Sequence, residues 1–104
     1  MPEDQEVFSK IGEIVAAVAP AGWKRIIVSA EMEDDNGETL YDYVSADDAV
    51  DWFEPSTDEQ YEIYLLFQRL RTGMKAEGSS WGSAKFFLEA CGKFHIEFEY
   101  ANPE

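Results

Sequence analysis

The sequence predicts an α+β fold: an antiparallel sheet of four to five strands with two helices packed on one face, in the order α-β-β-(β)-α-β-β. Three observations predict it. Two stretches repeat apolar residues at spacings of three and four, the period of a helix face. Two pairs of stretches alternate with period 2, the signature of half-buried strands. Glycine-centred turn signals sit inside each of those pairs. The 104 residues suit one domain, residues 1–104, with 45% hydrophobic and 14% aromatic residues to fill a core.

The first helix is expected over Glu6 to Ala19, where Val7, Phe8, Ile11, Ile14, Val15 and Val18 share a face. Asp4 suits its N-cap, and Pro20 and Gly22 end it. Trp23 to Glu33 reads as a strand, with Ile26, Val28, Ala30 and Met32 alternating against Arg25, Ile27, Ser29 and Glu31. Asn36-Gly37 then reads as the centre of a type I′ hairpin turn, because both central residues of that turn need positive φ. Thr39 to Ser45 returns antiparallel to the first strand. Ala46 to Pro55 fits either a short third strand or an irregular excursion. Thr57 to Gln60 matches a capping box with Thr57 as N-cap, opening a helix through Met74 that Gly78 terminates. The last hairpin sets Ala84 to Cys91 against Phe94 to Tyr100 around Gly92.

Net charge is -14, and its placement matters more than its size. Between Arg25 and Arg69 the chain has no Lys, Arg or His, yet holds thirteen of its 22 acidic residues. Such a field repels nucleic acid and anionic membrane and steers basic partners inward. Simple solubility is the competing explanation of the same charge. Cys91 stands alone, so no internal disulfide is possible, and a lone thiol suits a reducing, cytoplasmic compartment. The acidic first residues have the wrong sign for a signal peptide, and no stretch has the roughly 18 apolar residues of a membrane span.

Signals for chemistry are weak. There is no phosphate-binding glycine loop and no Cys/His metal spacing, so no metal, cofactor or catalytic residue is assigned. His95 reads as a surface-facing strand residue, and Cys91 as a thiol beside a turn. Asp34-Asp35-Asn36-Gly37 resembles part of a calcium loop. With Gly37 at loop position 6, however, position 1 falls on Met32, which cannot ligate. Two carboxylates flanking a cleft could serve glycoside hydrolysis, but a chain this short has little room for the cleft. The expectation is a binding protein, not an enzyme. Its candidate partner-binding residues are Glu31, Glu33, Asp34, Asp35, Asp42, Asp47, Asp48, Asp51, Trp52 and Glu54. Trp52 and Phe53 are either exposed anchors among these acids or rings packed under the sheet edge.

Several segments together carry a family resemblance. An amphipathic first helix leads into Gly22-Trp23-Lys24-Arg25, followed by Ala30-Glu31 and then Leu40-Tyr41-Asp42-Tyr43. The chain ends in Trp81, Phe86, Leu88-Glu89, Gly92-Lys93-Phe94 and Ile96-Glu97-Phe98-Glu99-Tyr100. This order resembles the YezG-like immunity protein family. The resemblance implies a bacterial antitoxin that protects its producer by binding the catalytic domain of a cognate polymorphic toxin, many of which are nucleases. A nuclease holds a polyanion in a basic cleft, so a compact acidic protein can cover that cleft. The alternative is a small acidic regulatory or adaptor domain that binds another protein. Whether the unpaired sheet edge joins two copies stays open.

Overall fold

The computed structural model describes residues 2–32, 37–76, 78 and 81–100. Its elements are α1 (Pro2–Val18), β1 (Trp23–Met32), β2 (Gly37–Ser45), β3 (Val50–Trp52), α2 (Thr57–Ala76), β4 (Trp81–Glu89) and β5 (Phe94–Tyr100). The strands form one antiparallel sheet in the order β3-β2-β1-β4-β5. The expected α+β class and element order are therefore observed, and the ambiguous stretch before Pro55 contributes a short edge strand, the fifth of the sheet.

The pleat decides which side chains meet the helices. Ile26, Val28 and Ala30 of β1 lie opposite Tyr43, Tyr41 and Thr39 of β2, and opposite Leu88, Phe86 and Ala84 of β4. Onto this face α1 lays Val7, Ile11 and Val15, and α2 lays Ile63, Phe67 and Leu70, all buried. Gly12 of α1 faces this layer, and a Cβ there would meet the side chains of Leu88 and Phe86 at 3.8 Å, an ordinary packing distance. Phe67 and Trp81 meet edge to face at 6.4 Å, and both are fully buried. Burying a side chain such as Phe67 stabilises the fold by about 1.5–3 kcal/mol, so this layer carries most of the stability.

Local details correct three expectations. Helix α1 begins at Pro2, so Asp4 lies within it and is not its N-cap; proline suits a first turn, where no intrahelical N–H bond is lost. The capping box of α2 sits one residue earlier than expected. Ser56 Oγ accepts from Glu59 N at 3.2 Å, and Glu59 Oε1 accepts from Ser56 N at 2.9 Å. Gln60 instead donates from Nε2 to Pro55 O at 2.7 Å.

The first hairpin is not a two-residue turn on Asn36-Gly37. Gly37 already pairs with Met32 as the first residue of β2, and it is absent from the positive-φ positions. Its glycine is explained by crowding: a Cβ would fall 2.6 Å from Met32 Sδ, 3.0 Å from Tyr64 Cε1 and 3.1 Å from Glu31 O. Asn36 lies outside the described residues. The second expected turn glycine behaves as read, with Gly92 at φ 97° and its N–H donating to Glu89 O.

Candidate partner-binding face

Both helices pack on one side of the sheet, which leaves the other side open. Strand register assembles that side into rows. Across all five strands run Trp52, Asp42, Ile27, Phe87 and His95. On one flank lie Val50, Val44, Arg25 and Glu89; on the other lie Leu40, Ser29, Lys85 and Glu97, and beyond them Glu38, Glu31, Ser83 and Glu99. The face is thus graded. One corner is apolar, with Trp52 and Val50 each 67% exposed and Leu40 58% exposed. The opposite end is acidic, where Glu31, Glu97 and Glu99 surround a shallow hollow floored by Ser29 and Ser83.

Few cations answer this charge. Arg25 is engaged by Glu89, Nε to Oε2 at 2.7 Å. Lys85 therefore stands on the open face among the exposed carboxylates of Glu31, Glu38, Glu97 and Glu99. Glu99 accepts from Ser83 Oγ at 2.9 Å, which orients one carboxylate without neutralising it. His95 stacks on Phe87, ring centroids 4.7 Å apart, and its Nε2 lies 3.3 Å from Glu97 Oε2.

The residues singled out in the sequence divide into five groups. Glu31, Asp42 and Trp52 stand on the open face. Asp51 is exposed but alternates to the other side of β3, opposite Tyr43, and accepts from the Trp52 N–H at 2.8 Å. Glu54 is exposed just past β3.

Asp47 and Asp48 form a turn. Ser45 Oγ and the Ala49 N–H donate to Asp47, and these hydrogen bonds hold its carboxyl below the usual value. Asp48 takes φ 69°, a conformation that aspartate tolerates better than most residues, and pairs with Lys24. Glu33, Asp34 and Asp35 lie outside the described residues.

The two aromatic neighbours also separate. Trp52 points outward, while Phe53 is buried against Tyr41 and Tyr43 at 5.9 and 6.0 Å.

Sequence reasoning missed Ile27, Leu40, Val44, Val50 and Phe87, the apolar part of the face. A signal for two of them was present: Ile27 and Phe87 interrupt the otherwise polar phase of their strands. The others needed the β2–β3 register.

A graded sheet face over which neither helix packs is suited to another macromolecule's surface, and family comparison says which kind. The chain matches the family described as "Immunity protein YezG-like" over residues 5–103. It belongs to that family. Comparison with curated proteins returned no match. As a member of the YezG-like immunity proteins, the chain has an immunity role and a toxin protein as partner. Among its described residues, no helix is long and apolar enough to cross a membrane.

Proposed function

We propose that the protein neutralises a cognate toxin by seating the toxin's catalytic domain on the open face of its sheet, with no chemistry of its own. The observation that carries this reading is the exposed Trp52 corner beside a carboxylate-rich surface. Interfaces concentrate affinity in a desolvated aromatic anchor, whereas surrounding charges set approach and orientation. Here Trp52, Val50 and Leu40 supply the anchor, and Glu31, Glu38 and Asp42 supply the field, extended by Glu54. The toxin domain that fits is basic, as a nuclease must be to hold its polyanionic substrate. The lone thiol suits action in the cytoplasm of the producing cell.

Co-expression with the toxin domain encoded beside this gene tests the proposal. The wild-type protein is expected to rescue growth, and Glu31→Lys/Asp42→Lys to lose that protection. Association of the purified pair is expected to slow at least tenfold between low and high salt, as electrostatically steered encounters do. Salt-independent association would refute the electrostatic mechanism. Failure of the wild type to rescue would refute the neutralising role.

A further inference from the structure

β3 covers only part of the outer edge of β2, from Asp42 to Val44. The Phe53 N–H donates to Tyr41 O at 3.1 Å and the Ser45 N–H to Ala49 O at 2.9 Å. Bonded pairs recur at every second residue of an antiparallel ladder, so the odd-numbered residues of β2 turn their backbone groups outward. Glu38 and Leu40 bond instead to Glu31 and Ser29 of β1. Gly37 and Thr39 therefore each present an N–H and a C=O to the outer side, where, among the described residues, no strand lies beside them. The chain cannot close this edge itself. Continued in register, β3 would set Pro55 opposite Thr39, and proline has no N–H to give. The Pro55 carbonyl is taken by Gln60 Nε2, and Thr57, next in line, already opens α2. An edge left in this state is a template for another strand.

The space and charge beside this edge describe its occupant. Two hollows, of about 390 and 420 Å³, share Thr39 and Gln60 in their walls. One extends to Leu40, Trp52 and Glu54, the other to Glu38, Tyr61 and Tyr64, and no Lys, Arg or His lines either. We infer that an extended, basic segment of the toxin domain adds to the sheet here as a strand antiparallel to β2, an inference that rests on the neutralising role proposed above. The segment takes over the line of β3. Thr39 exchanges both bonds with the residue opposite it, and Gly37 with the residue two places on. Residues opposite Leu40 and Glu38 share the open face with them. An apolar side chain opposite Leu40 falls between it and Trp52, which stands two places earlier on the same line. A Lys or Arg opposite Glu38 meets an exposed carboxylate. The residue opposite Thr39 turns to the helix side, against Gln60 and the stacked rings of Tyr61 and Tyr64. Main-chain bonds then supply affinity, and alternate side chains supply selectivity. A second copy of this chain is the poorer occupant, because its β2 edge brings the same uncompensated carboxylates.

Amide exchange resolved by NMR tests this, comparing the free chain with its complex with the toxin domain encoded beside this gene. In the free chain the Thr39 N–H is expected to exchange fast, while the Leu40 N–H, bonded to β1, exchanges slowly. In the complex Thr39 is expected to slow about 100-fold or more, with Leu40 slow in both states. Thr39→Pro removes the outward N–H and no bond to β1, a change that an edge strand tolerates. It is expected to stay folded by circular dichroism and to bind the toxin domain about 30-fold more weakly. Thr39→Ala keeps that N–H, so its loss is expected to be far smaller, and a loss equal to that of proline would overturn the inference. If the proline variant does not fold, exchange in the wild-type chain decides alone. A complex that neutralises the toxin while Thr39 exchanges as fast as in the free chain would overturn strand addition and leave the neutralising role standing. A toxin domain that does not bind would overturn both. Protection of Thr39 in the free chain that rises with concentration would also overturn it, and would place a second copy on this edge.

Discussion

The two sides of the sheet are built from the same strands, yet they obey different rules. On the helix side, Ile26, Val28 and Ala30 are at most 1% exposed, and each touches residues brought from distant parts of the chain. On the open side, their immediate neighbours Arg25, Ile27, Ser29 and Glu31 carry charge and mixed polarity, and no helix is laid over them. The difference shows that stability and recognition are separated by one residue of pleat, not by distance along the chain. A substitution should therefore affect one property or the other according to its phase in the strand.

Predictions can break that separation. The largest effect is expected on the covered side, where Phe67→Ala should cost about 3–5 kcal/mol in urea unfolding, through lost burial and a residual cavity. Trp52→Ala on the open side should leave the unfolding midpoint within about 0.5 kcal/mol while weakening toxin binding by about 2 kcal/mol or more, close to 30-fold, by calorimetry. A Trp52 variant that unfolds easily and binds normally would erase the distinction. Gly37→Ala probes the boundary where β2, Met32 and Tyr64 crowd together. It should cost about 1–3 kcal/mol, because the Glu31 carbonyl cannot yield as the Met32 side chain can.

The smallest effect is a pH dependence. Burial raises the Tyr41 phenol above its ordinary 10.0, although the hydrogen bond with Thr39 at 2.7 Å offsets part of the rise. Neutral Tyr41 is the favoured folded form, so its contribution is whole below the unfolded value near pH 10 and is lost as pH rises through the raised value. Alkaline unfolding followed by fluorescence should show this loss, and Tyr41→Phe should reduce it.

Much of the fold was legible because periodicity is a local property. The alternation in Ile26, Val28 and Ala30, and in Phe94, Ile96 and Phe98, names strands without any knowledge of their neighbours. Register is not local. Gly37 looked like a turn residue, yet pairs with Met32, since crowding by Tyr64 from α2 cannot be seen in a four-residue window. The same limit explains the candidate site. Carboxylates are conspicuous in a sequence, so Asp47 and Asp48 were grouped with Glu31 and Asp42, although they are engaged in shaping the β2–β3 turn. Apolar residues facing out, such as Leu40 and Val44, are indistinguishable from core residues until strand pairing assigns their side.

The hairpin joining β4 to β5 carries the chain's one thiol, Cys91, exposed beside Gly92. A thiol at an exposed hairpin tip can meet its counterpart on a second molecule within the roughly 7 Å between Cα atoms that a disulfide needs. With one cysteine per chain, oxidation would stop at a covalent pair of molecules joined tip to tip, which reductant separates.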